Sequence, residues 1–248
     1  MLARMERMAR PSLWLLPSDG AGFSKLGGAP ELPVGLDWPL SASGRRDFMA
    51  QIDLAELQES APLAWLPPGG RIYAFYDPQS LGMPDAVRVL YADSAAPTEA
   101  RIEGKERPER RVAFAPFTSI PSTDWIQSPT VLDMDLEEFA AQAEALTDGP
   151  SEAVVRHRIG GYPDEIQNGC LRWECEYLAR GLPDLDYKSP VPASIDVASK
   201  SWRLLLQIDS DDALKMNWGD GGRLYVFIRE KDARAGDFSR TVTISQCY

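Results

Sequence analysis

The chain writes one alternating pattern twice. GGRIYAFY (Gly69–Tyr76) and GGRLYVFI (Gly221–Ile228) each open on two glycines and an arginine, then run through alternating side chains. Glycines admit positive φ, so each stretch predicts a turn opening a strand, with Tyr73 and Phe75 matched to Tyr225 and Phe227. WRLLLQI (Trp202–Ile208) is an apolar run of strand formers, and VRVLYAD (Val87–Asp93) alternates; both predict strands. After Gln51-Ile52-Asp53 the period turns helical in DLAELQE. There Asp53 and Glu56 have capping-box spacing: the aspartate takes an orphan amide at the helix start and the glutamate reaches back. Asp209 and Asp212 repeat the spacing. The clearest helix is DMDLEEFAAQAEALTD (Asp133–Asp148), with Leu136, Phe139, Ala143 and Leu146 on one face and Gly149-Pro150 after it. EIQNGCLRWECEYLARG predicts another, around Gln167–Arg180, stopped by Gly181. LPDLDYKSPVPAS reads as an irregular loop, and APTEARIEGKERPERR (Ala96–Arg111) as a solvated loop or exposed hairpin.

Two more blocks recur in the same order as the strand sentence. KLGGAPELP (Lys25–Pro33) answers to RIGGYPDEI (Arg158–Ile166), and FMAQIDLAEL (Phe48–Leu57) to LLLQIDSDDAL (Leu204–Leu214). Blocks repeated in order signal a copied unit. The expected architecture is therefore an α+β fold, an internal duplication of two pseudo-symmetric halves with mainly antiparallel sheets and peripheral helices. One domain is expected over 1–248, with copy one at about 24–77, a connecting region at about 78–156 and copy two at about 157–230.

Composition narrows the function classes. The net charge of −11 disfavours nucleic acid and anionic membrane surfaces, and favours a basic protein if a partner exists. No apolar run approaches the length of a membrane span, and no cleavage site follows the short LWLL run near the start. Three cysteines without a C-x-x-C pair fit a reducing cytoplasm. The single histidine, His157, restricts zinc sites and nucleophile–histidine dyads.

Candidate chemistry follows from the repeats. If matched strand ends converge between the halves, Gln51 meets Gln207 and Asp53 meets Asp209, and two facing carboxylates hold a cation or share a proton. The plainer expectation is that the aspartates cap helices and the glutamines satisfy strand-end backbone. NWGDGGR (Asn217–Arg223) sets Trp218 and Asp220 beside three glycines, as a backbone nest or as a tight turn lidded by its tryptophan. Trp38, in the turn-rich GLDWP outside the repeated strands, joins Trp218 as an aromatic candidate, and His157 is the natural general base near neutral pH. DSDD (Asp209–Asp212) lacks the glycine and glutamate of a calcium loop, and no dinucleotide, P-loop or nucleophile-elbow fingerprint appears. No cofactor is expected. The leading expectation is a non-catalytic cytoplasmic binding or protein-interaction protein with its site between the copies. The alternative is a hydrolase or metal-dependent enzyme using His157 or the Asp53/Asp209 pair.

FSKLGGAPELPVGLDWP, FMAQIDLAEL, LPPGGRIYAFYD, HRIGGYPDEIQ, WRLLLQIDSD, NWGDGGRLYVFI and DFSRTVTISQC together resemble the YwqG-like family, a widespread set of mostly bacterial proteins carrying a domain of unknown function. The resemblance covers about Phe23–Cys247. It implies an α+β protein of related halves and implies no reaction.

Overall fold

Runs that are apolar at both odd and even positions need cover on both faces of a strand, and this governs the architecture. In a computed structural model, residues 6–122, 125, 137–139, 141, 155–167, 170–186 and 188–248 are described. The strands are β1 (Arg10–Pro17), β2 (Lys25–Leu26), β3 (Glu31–Pro33), β4 (Leu40–Ser41), β5 (Gly44–Arg45), β6 (Asp47–Asp53) and β7 (Arg71–Tyr76). They continue with β8 (Val87–Ala92), β9 (Thr98–Ala100), β10 (Arg110–Ser119), β11 (Arg158–Gly160), β12 (Trp202–Asp209), β13 (Arg223–Arg229) and β14 (Val242–Gln246). The helices are α1 (Leu54–Ser60), α2 (Leu171–Ala179), α3 (Ala193–Ser199) and α4 (Glu230–Arg234), with 3-10 turns at Asp212–Leu214 and Phe238–Arg240.

Ten strands form one sheet in the order β14-β13-β12-β11-β1-β10-β2-β6-β7-β8, and every pairing is antiparallel. The sheet curls into a nearly closed barrel. At the seam between its two edges, the Thr243 N–H donates to Pro84 O at 2.8 Å, and the Val87 N–H donates to Thr243 Oγ1 at 3.2 Å. Beyond that point the 3-10 turn fills the gap, with Phe238 stacked on Tyr91 at 5.0 Å.

This overturns the α+β expectation of two duplicated, pseudo-symmetric halves. The chain is mostly sheet, 35% strand against 20% helix, and β1 paired to β10 joins all ten strands around one interior. The reason lies in the strand sentence itself. Ile72, Ala74 and Tyr76 with Leu224, Val226 and Ile228 face a common core, joined by Leu13, Leu15, Ile52, Val87, Val112, Ile159, Leu206 and Ile208. The intervening residues face outward under separate covers. Tyr73, Phe75 and Phe48 lie beneath Trp38 and Leu32, while Tyr225, Phe227, Trp202 and Leu204 lie beneath Leu171 and Cys175 of the α2 region.

The repeated blocks still mark like local geometry. Lys25 pairs with Gln51 and Arg158 with Gln207, and both β6 and β12 carry a register shift, between Phe48 and Ala50 and between Leu204 and Leu206. Each Gly-Gly pair adopts left-handed backbone, Gly27 and Gly28 at φ 63° and 71°, Gly160 and Gly161 at 74° and 69°. Space forbids a side chain as well: a Cβ on Gly27 would lie 2.1 Å from Pro108 O, and one on Gly161 2.6 Å from the Ser119 Cβ.

Strand directions set the two barrel rims. β6 and β12 run in opposite senses, so Asp53 ends at one rim and Asp209 at the other. The Asp53 rim is plugged by Leu54 and Leu57 of α1 with Leu63 and Leu66; the Asp209 rim is plugged by Leu214, Met216 and Trp218. The second helix is shorter than predicted, Leu171–Ala179, and still ends at Arg180-Gly181. Of the Asp133–Asp148 helix, 137–139 and 141 are described and helical, and the rest lies outside the described residues. Among the described residues no helix is long and apolar enough to cross a membrane.

Candidate functional site

Gln51, Asp53, Gln207 and Asp209 lie at or within two residues of a strand's end, where backbone groups of the adjoining loops need other partners. Gln51 sits on the outer face of β6, fully buried. Its Nε2 donates to Phe23 O at 2.7 Å and its Oε1 accepts from the Glu31 N–H at 2.9 Å. Gln207 on β12 does the same, donating to Arg156 O at 3.0 Å and accepting from the Asp164 N–H at 2.9 Å. Above each glutamine a tyrosine hydroxyl donates to the same loop, Tyr73 to Glu31 O at 2.9 Å and Tyr225 to Asp164 O at 2.7 Å. Burial raises both phenols, that of Tyr73 to about 12, so they remain donors. Each glutamine thus clamps the loop that follows its neighbouring strand.

The aspartates serve the same corners. Asp53 caps α1, accepting from the Ala55 N–H at 2.9 Å and the Glu56 N–H at 3.3 Å, and pairs with Arg71 at 3.3 Å. Glu56 does not reach back to the cap. It accepts from the Ser24 hydroxyl at 2.6 Å and the Ser24 N–H at 3.1 Å, and Ser24 Oγ accepts from the Asp53 N–H at 3.0 Å. Asp209 caps nothing; it accepts from the Arg156 N–H and from Arg223. The cap of the following 3-10 turn is Asp211, on Ala213 and Leu214.

His157 stands where Ser24 stands in the first corner. Its Nδ1 accepts from the Asp209 N–H at 3.1 Å, which leaves the proton on Nε2, 3.3 Å from Asp211 Oδ2, and the residue is 3% exposed. Arg110 of β10 binds the same carboxylate. Burial opposes ionisation of Asp211, yet the hydrogen bond from His157 and the Arg110 guanidinium hold it down at about 2. The ring is a structural bridge from β12 to the turn.

Beside it, the Asp164 carboxylate oxygen Oδ2 receives Arg156 at 2.9 Å, Arg158 at 3.2 Å and Arg223 at 2.9 Å. Burial lowers the Arg158 guanidinium to about 10 despite Asp164, and burial notwithstanding, the three cations lower Asp164. Sequence reasoning missed Asp164 and Arg158, although both lie in the recurring Gly-Gly-x-Pro block.

The structure therefore separates the positions that the repeats paired. Gln51 and Asp53 share one rim; Gln207, Asp209 and His157 share the other, with Trp218 plugging that end against Tyr76, ring centroids 4.7 Å apart. A two-carboxylate centre from Asp53 and Asp209 does not form. Asp220 is exposed in the turn before β13. Trp38 covers the outer face of β7, edge-on to Phe75 at 5.0 Å, its indole N–H donating to Arg46 O at 2.8 Å. Among the described residues no three His, Cys, Asp or Glu side chains are grouped to hold a metal ion.

Trp38 also borders the surface that lies open. A groove of about 420 Å³ follows the barrel seam, lined by Trp38, Leu40, Asp85, Val87, Arg88 and Ser239 among others. Leu40 is 66% exposed, and Leu81 and Met83 stand exposed in the turn leading to Asp85. Arg46 fixes this turn, donating to Asp85 O at 3.0 Å and Ala86 O at 2.7 Å.

No curated protein matches the chain. Residues 24–247 match the profile of a domain described as a domain of unknown function, DUF1963. That span takes in both corners, both rims and the seam, and the chain belongs to the DUF1963 family.

Proposed function

We propose that this protein, a DUF1963 member with YwqG-like sequence blocks, is a non-catalytic cytoplasmic binding protein that docks a basic protein segment in the seam groove. The carrying observation is that Gln51, Asp53, Gln207, Asp209 and His157 each spend their polar atoms on backbone or neighbouring side chains, holding strand ends together. The groove, by contrast, offers what a docking surface needs. It has an aromatic and aliphatic wall with exposed Leu40 as apolar contact, and the carboxylates of Asp37 and Asp85 on its border, while its two arginines, Arg46 and Arg88, are turned to backbone carbonyls. A chain of net charge −11 steers a cationic partner toward any such surface.

The test uses Lys/Arg-rich peptides carrying one aliphatic anchor, titrated against the protein by fluorescence anisotropy. Binding that weakens with salt and drops about tenfold or more in Leu40→Arg supports the reading. Equal binding by Leu40→Arg, or hydrolysis of a reporter ester that His157→Asn abolishes, would overturn it.

A further inference from the structure

On the other side of Thr241 from the seam groove lies a second cleft, about 450 Å³, whose character is opposite to the chain as a whole. Its lining includes Trp202 and Val242 as apolar floor, Thr241 at the border, and three cations, Arg229, Lys231 and Arg240, against one carboxylate, Asp232. In a chain with 37 acidic and 26 basic residues, this lining sets three cations against one carboxylate, although Arg229 and Arg240 also meet acids just outside it, Glu176 and Asp237.

The three cations are differently committed. Arg229 is fixed: its guanidinium lies over the Trp202 ring, 4.4 Å from the centroid, and pairs with Glu176 at 2.7 Å. Glu176 is otherwise saturated, by Arg180 at 2.6 Å and the Trp202 indole N–H at 3.1 Å, so it draws nothing further from the cleft. Arg240 pairs with Asp237 at 3.1 Å, with its side chain 67% exposed, and a pair so hydrated holds its partner weakly. Lys231 has no side-chain partner among the described residues. The cleft thus presents a rigid aromatic–guanidinium wall and two cationic side chains free to turn inward.

From this we infer an oxyanion site: the cleft takes a small organic carboxylate or phosphate ester, its flat apolar body against the Arg229 guanidinium that covers Trp202 and beside Val242, and its charge between Lys231 and Arg240. The inference is independent of the seam groove, since it rests on other residues and on a ligand of the opposite sign.

Isothermal titration with phenyl phosphate, benzoate and neutral benzyl alcohol tests it on the full chain. Phenyl phosphate, benzoate or both should bind at about millimolar Kd or tighter, and benzyl alcohol at least tenfold more weakly. The stronger anion identifies which oxyanion the cleft prefers. Lys231→Ala and Arg240→Ala, both at exposed positions that the fold does not need, should each weaken anion binding several-fold and the double variant tenfold or more. Anion binding unchanged in the double variant, equal binding of benzyl alcohol, or no binding of either anion at about 10 mM overturns the site.

Discussion

At the residue scale, Asp211 joins three parts of the chain: the 3-10 turn it caps, His157 before β11, and Arg110 of β10. Its carboxyl titrates near 2 in the fold, below the ordinary value near 4, so the unfolded chain binds the proton first as pH falls. The stabilisation is complete above about pH 4 and is lost as pH drops through about 2. Asp211→Asn should remove that part of the acid limb. Urea midpoints of wild type and variant, compared at pH 5 and pH 2.5, should converge as pH falls; a gap that stays constant refutes the assignment. Sequence spacing singled out Asp209 and Asp212, two residues off in role. Spacing along the chain reports helix geometry only, whereas the choice among four neighbouring residues, three of them acids, is made by Arg156, Arg223 and His157 arriving from elsewhere. The Asp53 cap, by contrast, was legible because α1 follows it directly.

At the element scale, the barrel interior depends on its plugs as much as on its strands. Trp218 is 1% exposed, and its indole N–H has no hydrogen-bond partner among the described residues. Its contribution is therefore volume and the edge-on contact with Tyr76. Trp218→Ala should cost about 3–5 kcal/mol, while Trp218→Phe, which keeps a ring and loses no hydrogen bond, should cost well under half of that. Chemical denaturation of the two variants decides it, and equal losses would show that a smaller ring does not recover the packing. The strands themselves were readable, β7, β8 and β13 from alternation and β12 from its apolar run, and all four stand where the pattern put them. Their assembly was not. A residue pattern apolar on both faces is compatible with a sheet flanked by helices or with a barrel under external covers, and only the pairing of β1 with β10 distinguishes them. β1 lies outside every repeated block, so nothing in the recurrence pointed to it.

At the scale of the whole molecule, closure rests on the seam. Thr243 is 2% exposed, and its hydroxyl accepts the otherwise unpaired Val87 N–H. Thr243→Val keeps the shape and leaves that amide unsatisfied, a loss of about 1–3 kcal/mol. Amide exchange should rise at Val87–Ala92 and Val242–Gln246 before it rises in β1 or β10; uniform acceleration across the sheet would argue that the seam opens only with the whole barrel. The open groove, the oxyanion cleft and Thr241 between them all adjoin this line. The candidate corners were visible in the sequence as recurring blocks, but the seam was not, because it joins Pro84 and Val87 to Thr243 across most of the chain's length. There is a mechanical corollary. β14 is zipped to β13 by a full ladder, pinned at the seam by Thr243, and tied near its end by Gln167, which donates to Gln246 Oε1 and Cys247 O. A force applied at Tyr248 in an optical trap should peel it away bond by bond at low load, long before the β1–β10 pair, buried mid-sheet, feels any shear.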